Sequence, residues 1–178
     1  MVCSMAGTHV ALLRGINVGT ANRVAMADLV RAFSAYSDVT TLLQSGNVVF
    51  TSAKPLGPSA TIALEDDIAT STGVQARVLV LPAETFRAIA AANPLLPVST
   101  DHSRLVTTFL DAPAGPGVQP PAASDLDPEQ MVVTDAAIYQ WCPDGVSKSK
   151  VPAAFWRKLG PVATARNQRT IDKLLALL

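Results

Sequence analysis

Hydrophobic positions in the first half of the chain alternate between strand-like runs and helical spacing. Four short apolar or β-branched runs lie at 10–13, 39–43, 48–51 and 74–81. Apolar residues at i, i+3, i+4 and i+7 from Met26 to Phe33, and a similar set from Ile62 to Ala69, predict two helices. The resulting order β-α-β-β-α-β is that of a ferredoxin-like fold, a split β-α-β unit with its helices on one face of the sheet.

The second half repeats part of this order. A predicted helix that begins at Pro82 and ends at Asn93-Pro94 precedes it. The predicted strands lie at 104–110, 131–133 and 137–141, and the predicted helices lie at 122–126, 153–159 and 168–178. We therefore expect an α+β protein with two ferredoxin-like halves, residues 1–97 and 98–178, each a small sheet covered by helices.

Two polar loops interrupt the first half. The first, Arg14-Gly15-Ile16-Asn17-Val18-Gly19, follows the first strand, and the second, Gln44-Ser45-Gly46-Asn47, joins the second and third strands. Neither loop matches the dinucleotide fingerprint, the P-loop or the nucleophile elbow of hydrolases. Gly and Asn tolerate positive φ, so the second loop is predicted to be a hairpin turn or a bulge. Each loop is interpreted either as a tight turn or as a segment that lines a ligand.

Charge is distributed unevenly although the net charge is zero. Residues 101–146 carry one Arg and seven acids, a balance of −6, whereas residues 147–178 carry seven Lys or Arg and one acid, a balance of +6. Two interpretations of the basic segment remain open: a solvated face that pairs with the acidic segment, or an anion site. Zero net charge argues against a protein that coats nucleic acid. The acids at 65–67 are predicted to be a solvated helix face.

The N-terminus of the last predicted helix is a favourable place for a bound anion. Asn167 is a good N-cap for a helix that begins at Gln168. Helix N-termini carry free N–H groups and a partial positive charge. Arg166 beside this start adds a bidentate donor for phosphate or carboxylate.

The sequence shows no pattern typical of a metal or cofactor site, or of a secreted or membrane protein. Cys3 and Cys142 are predicted to be reduced thiols, and neither His9 nor His102 has a second ligand at metal spacing. No metal and no cofactor are therefore predicted. No apolar run approaches the ~20 residues of a membrane span, and the first residues lack the pattern of a signal peptide. We expect a cytoplasmic protein without a membrane partner.

Several of these motifs together resemble one bacterial family. They are Ala11–Gly19, Met26, Gln44–Phe50, a Ser-Lys pair, Leu159-Gly160, and Ala163–Asn167 with Thr170 and Lys173-Leu174. This joint pattern covers essentially the whole chain and is similar to the bacterial domain-of-unknown-function family 1697. The resemblance implies a two-part α/β protein with ferredoxin-like halves and no established activity. The family usually has Trp after the Arg-Asn pair, where this chain has Gln168. Ser147-Lys148 and Ser149-Lys150 both fit the Ser-Lys pair, and Lys150 is favoured.

The favoured function is binding of an anionic ligand, either a phosphate-bearing small molecule or a short nucleic-acid segment. The candidate ligand-binding residues are Arg14, Asn17, Gln44, Ser45, Asn47, Lys150, Arg166, Asn167 and Lys173. The strands offer few aromatic side chains for stacking on RNA, namely Phe50, Phe109, Tyr139 and Trp141, so a small ligand is preferred.

Two alternatives belong to other classes. The first is an enzyme acting on a phosphorylated or carboxylated metabolite, with Arg and Lys as transition-state clamps and no evident base. The second is a structural or interaction protein, in which the acidic and basic segments pair within the chain or across a homodimer.

Overall fold

A computed structural model describes residues 7–17, 20, 22–159 and 162–178. Within these residues the chain has an α+β fold with two four-stranded antiparallel sheets and six α-helices. It divides into two units, which we call unit 1 (Met1–Arg87 and Leu174–Leu178) and unit 2 (Ala88–Lys173). The predicted boundary at residue 97 stays a prediction. Four residues named above, Cys3, Val18, Gly19 and Gly160, lie outside the described residues.

The sheet of unit 1 has the strand order β2-β3-β1-β4. Its strands are β1 (Gly7–Arg14), β2 (Ser37–Leu42), β3 (Asn47–Ser52) and β4 (Arg77–Pro82). The helices in this part of the chain are α1 (Met26–Ala32), α2 (Pro58–Thr72) and α3 (Ala83–Ala91). Each neighbouring pair of strands is antiparallel, so β1 lies at the centre between β3 and β4.

The core of unit 1 follows from two sequence periods. Alternate residues of β1, Ala11 and Leu13, contribute to one hydrophobic cluster with Leu29 of α1 and with Leu64 and Ile68 of α2. Strand residues two apart and helix residues three or four apart each share a face, so one layer of apolar side chains forms between sheet and helices. The predicted helices and strands of this half are confirmed.

The sheet of unit 2 has the strand order β6-β7-β5-β8. Its strands are β5 (Leu105–Phe109), β6 (Gln130–Val133), β7 (Ala137–Trp141) and β8 (Thr164–Asn167). The helices that follow α3 are α4 (Ala123–Leu126), α5 (Ala153–Trp156) and α6 (Gln168–Leu175). All strand pairs are again antiparallel.

One element of unit 2 differs from the prediction. The sequence predicted only helices after β7, and this was wrong, because residues 164–167 form strand β8. The segment Thr-Ala-Arg-Asn has no apolar alternation, so hydrophobic periodicity cannot reveal it. Pairing with β5 brings Arg166 opposite Thr107. This register decides which residues surround Arg166.

A further finding concerns helices long enough to enter a lipid bilayer. Within the described residues, no helix combines the length and the apolar composition that crossing a membrane requires.

Candidate functional site

The structure divides the nine predicted ligand-binding residues between the two units. Unit 1 contains Arg14, Asn17, Gln44, Ser45 and Asn47, and unit 2 contains Lys150, Arg166, Asn167 and Lys173.

Asn17 holds the first polar loop against the hairpin turn of unit 1. Its Nδ2 donates to the carbonyl oxygens of Val24 at 3.1 Å and Gln44 at 2.7 Å, and its Oδ1 accepts from Val24 N at 2.9 Å. Asn17 has a φ of +51°, a conformation that Asn tolerates better than most residues. The side chain therefore has a structural role that accounts for its presence in the motif.

We expect Asn17→Asp to lower the free energy of unfolding by about 2–3 kcal/mol at pH 7. The carboxylate keeps the shape but cannot donate to the two carbonyl oxygens, which then face a negative charge. Gln44→Glu is the matched amide-to-acid control, because the Gln44 side chain is exposed. Urea unfolding of both variants checks the prediction, and equal losses would contradict it.

Polar groups of the hairpin turn in unit 1 form hydrogen bonds within the same unit. Asn47 is fully buried, and its Nδ2 donates to Leu42 O and to Ser45 Oγ, both at 3.0 Å. Gly46 O accepts from Leu13 N at 2.8 Å, which ties the turn to β1. The predicted turn is confirmed, and the hydrogen bonds of the Asn47 side chain stabilise it.

Exposed polar side chains remain around this turn. Arg14, Gln44 and Ser45 are exposed. Arg14 lies directly opposite Arg77 in the β1–β4 register, and Arg77 Nη1 donates to Glu65 Oε2 at 2.8 Å. Glu65 Oε1 also accepts from the amide of Val78 at 2.9 Å. The prediction of a solvated face is therefore wrong for Glu65. Its carboxylate pairs with Arg77 and thereby offsets the repulsion between Arg14 and Arg77, which carry like charges on adjacent strands.

The start of α6 is capped as predicted. α6 begins at Gln168, and Asn167 Oδ1 accepts from Thr170 N at 3.0 Å and from Thr170 Oγ1 at 2.9 Å. The amide of Arg169 donates to His102 O at 3.3 Å. Two amides of the first turn thus have partners within the chain, and Asn167 acts as a cap.

Lys150 lies beside a buried carboxylate that the sequence analysis missed. Glu129 is 7% exposed, and its Oε1 accepts from Ser149 Oγ at 2.8 Å and from Gln140 Nε2. Its Oε2 accepts from the backbone N of Lys150 at 2.8 Å. The Lys150 ammonium is exposed and donates to Asp127 O. We call Glu129, Gln140, Cys142, Ser149 and the Lys150 amide the Glu129 cluster.

Cys142 belongs to this cluster and is not poised for reaction. Its Sγ lies 3.7 Å from Glu129 Oε1. Burial, together with the charge of Glu129, raises the pKa of the Cys142 thiol to about 12. A thiol with so high a pKa carries almost no thiolate at pH 7, so Cys142 is an inert structural residue.

Arg166 lies in a row of paired residues across the sheet of unit 2. The register places Tyr139 opposite Thr107 and Thr107 opposite Arg166, so the three side chains share one face. We call these three residues the Arg166 row. Tyr139 Oη donates to Ile89 O at 2.8 Å. Arg166 Nη1 donates to Thr164 Oγ1 at 3.0 Å and to Ala165 O at 2.7 Å.

Two buried polar atoms, one in this row and one at the start of α6, have no hydrogen-bond partner among the described residues. They are Thr107 Oγ1 and Gln168 Oε1, on side chains that are 0% and 3% exposed. Burial lowers the pKa of the neighbouring Arg166 guanidinium to about 10. Buried polar groups are nearly always paired in proteins, so these two unpaired atoms are exceptions within unit 2.

Comparison with known proteins gives a family and a fold. The model of the family described as "Protein of unknown function (DUF1697)" matches residues 6–139. The chain belongs to the DUF1697 family. The resemblance stated from its motifs is therefore confirmed, and the two polar loops of unit 1 lie inside the matched range. Lys150, Arg166, Asn167 and Lys173 lie beyond it.

A solved structure resembles this DUF1697 chain along nearly all of its length. It is that of the conserved bacterial protein SP0830 from Streptococcus pneumoniae, with a TM-score of 0.69 and 25% sequence identity. The similarity covers 96% of this chain and 98% of the pneumococcal one. No curated protein matches the chain. The comparisons therefore support the fold, and function must be argued from the geometry.

Proposed function

We propose that this DUF1697 protein binds a small anionic ligand, a phosphate- or carboxylate-bearing metabolite, at Arg166 in unit 2. The observation that carries the proposal is a partly buried Arg166 that lies directly opposite Thr107 in the β5–β8 register. The hydroxyl of Thr107 is fully buried without a partner among the described residues. A hydroxyl and a guanidinium on one sheet face are suitable donors for an anionic oxygen.

The electrostatics of Arg166 support the same proposal. Burial depresses its pKa to about 10, so the folded state carries the cost of a desolvated cation at every pH below that value. At pH 7 this cost is on the order of 1–3 kcal/mol after allowance for partial exposure. A bound anion would offset this cost by pairing with the charge.

A nucleic-acid segment is less well supported as the anion. The four strand aromatics considered for base stacking, Phe50, Phe109, Tyr139 and Trp141, are all buried, with exposures from 0% to 7%. Single-stranded RNA is commonly bound by aromatic rings that a sheet face presents to solvent. A small ligand requires no such surface.

One observation favours the structural alternative. Arg169 Nη2, in the basic segment, lies 3.0 Å from Asp101 Oδ1, in the acidic segment. The pair is exposed, and exposed pairs contribute about 0–1 kcal/mol each. We retain it as a second candidate role for the charge segregation, while the enzyme alternative and a homodimer stay predictions.

We also propose that each unit is ferredoxin-like. The order β-α-β-β-α-β and a sheet in which the first strand lies between the third and fourth recur in both units. An internal duplication would produce this recurrence. A bacterial origin and a cytoplasmic location are proposed on the sequence arguments above.

Thermal unfolding with added anions tests the proposed site. We expect phosphate, sulfate or propanoate, at constant ionic strength, to raise the Tm of the wild type and not that of Arg166→Met. At ten times its Kd a ligand adds about 1.4 kcal/mol, which is a few degrees. Arg157→Met is the matched control, because it removes an exposed Arg from the same unit.

Two results would refute this site. One is a wild type that responds to none of the anions, and the other is an Arg157→Met variant that loses the response as completely as Arg166→Met. Without added anion, Arg166→Met should unfold no earlier than the wild type, because the substitution removes a desolvated charge. This second measurement separates loss of binding from loss of folding.

A further inference from the structure

His102 and Asp172 form a hydrogen-bonded pair in unit 2, which we call the His102 dyad. The imidazole Nδ1 of His102 lies 2.8 Å from Asp172 Oδ2. A carboxylate only accepts hydrogen bonds, so Nδ1 carries the proton and donates it. The neutral ring then has an unprotonated Nε2, and this nitrogen has no hydrogen-bond partner among the described residues.

The dyad is held in place by two further contacts. Gln168 is 3% exposed, and its Nε2 donates to Asp172 Oδ1 at 2.8 Å. The amide of Arg169 donates to His102 O at 3.3 Å, so the main chain of His102 is also tied to α6. Both partners of the dyad are therefore fixed by groups outside it, as side chains of reactive sites are by their supporting residues.

The imidazole of the dyad is accessible to reagents in solution. The side chains of His102 and Asp172 are 44% and 47% exposed. The chain has two histidines, and the other one, His9, is 1% exposed. The Nδ1 atom of His9 lies 2.7 Å from Gly7 O. A reaction that is specific for imidazole in the folded protein therefore reports on His102.

Charge near the dyad favours one class of electrophile. Arg169 Nη2 lies 3.0 Å from Asp101 Oδ1, and Arg104 Nε lies 3.6 Å from Asp101 Oδ2. Residues 101–104 and α6 together carry three cations and two carboxylates, namely Arg104, Arg169, Lys173, Asp101 and Asp172. An excess of positive charge raises the local concentration of anions, so an anionic phosphoryl donor suits this nucleophile better than a neutral ester does.

We infer that His102 accepts a phosphoryl group on Nε2 from a small donor, a phosphoramidate or an acyl phosphate. The lone pair of Nε2 forms a bond to phosphorus, and the bond between phosphorus and the leaving group breaks, with its electron pair going to the leaving group. The ring is positively charged until its Nδ1 proton passes to water, and the Asp172 carboxylate stabilises that charge. Asp172 is thus a positioning residue, and the inference goes beyond the anion site proposed at Arg166.

Phosphoramidate, a small phosphoryl donor that reacts with imidazole, tests this inference at neutral pH. We expect the wild type to gain one acid-labile phosphoryl group, located on His102 by fragmentation mass spectrometry, and His102→Gln to gain none. Asp172→Ala should react at least about tenfold more slowly, the factor that loss of one hydrogen bond to a charged group produces. Asp135→Ala removes an exposed acid from the same unit and should react like the wild type.

A second measurement separates positioning by Asp172 from a purely structural role. Nitrogen NMR shifts of His102 should show a protonated Nδ1 and a bare Nε2 in the wild type. In Asp172→Ala the proton should lie mainly on Nε2, because the partner that holds it on Nδ1 is gone. Asp172 is about half exposed, so water can replace its contacts and the variant should fold. If it does not, Asp172→Asn removes the charge at constant size and should also slow the reaction.

Three results would overturn the inference. They are a wild type that gains no phosphoryl group on His102, a folded Asp172 variant that reacts as fast as the wild type, and a wild-type imidazole protonated mainly on Nε2. None of them bears on the anion site, which is tested separately with Arg166→Met. Failure of that site would likewise leave the reaction of His102 unchanged.

Discussion

Gly46→Ala is expected to lower the free energy of unfolding by about 2–4 kcal/mol, measured by urea denaturation. A Cβ atom at this position would lie 2.7 Å from Leu13 Cβ and 3.0 Å from Ile16 Cδ1. Both neighbours are buried, with exposures of 1% and 3%, so neither can move aside cheaply. Gly46 also has a φ of +75°, which is unfavourable for residues with a Cβ.

A second glycine separates steric overlap from backbone strain. Gly73, at the end of α2, has nearly the same φ of +72°, but a Cβ atom there would meet no described atom within 4 Å. We expect Gly73→Ala to cost about 1 kcal/mol, the backbone contribution alone. Equal losses in the two variants would mean that close approach to Leu13 and Ile16 does not explain the glycine of the hairpin turn.

Glu129→Ala is expected to lower the free energy of unfolding by about 3–5 kcal/mol. The substitution removes the acceptor of Ser149 Oγ, of Gln140 Nε2 and of the Lys150 amide. The Glu129 carboxylate is buried, so water cannot restore all of these hydrogen bonds. Thermal and urea unfolding would measure the loss.

Two further variants define what Glu129 contributes. Glu129→Gln keeps the shape and one acceptor, so it should cost less, about 1–3 kcal/mol. Asp135→Ala removes an exposed acid from the same unit and should change stability by less than about 0.5 kcal/mol. A Glu129→Ala variant as stable as Asp135→Ala would show that the cluster adds no stability.

Local elements were predictable because their signals lie within a few residues. The cap joins Asn167 to Thr170, and the stop of α2 joins the Gly73 amide to Ala69 O at 2.8 Å. The hairpin turn at 43–46 is read in the same way from its Gly and Asn residues. The family was also identified from motifs, because two polar loops with fixed residues are specific even without a known role.

The candidate site was only partly predictable. Arg166 was singled out from the charge balance and from its place beside a helix start. Thr107 was not, because nothing near it in the sequence indicates a buried unpaired polar atom. Glu129 was missed for a related reason, since its partners lie 11 to 21 residues away along the chain.

The sequence by itself determined the order of most elements, the apolar faces of the helices, the turn residues, the cap of α6 and membership of the DUF1697 family. These depend on short-range periodicity and on backbone preferences of single residues. Only the tertiary structure decided that residues 164–167 are a strand, that Thr107 faces Arg166 and that Glu129 is buried. Strand pairing and burial join residues far apart in the chain, and the free energy of such contacts depends on the whole fold.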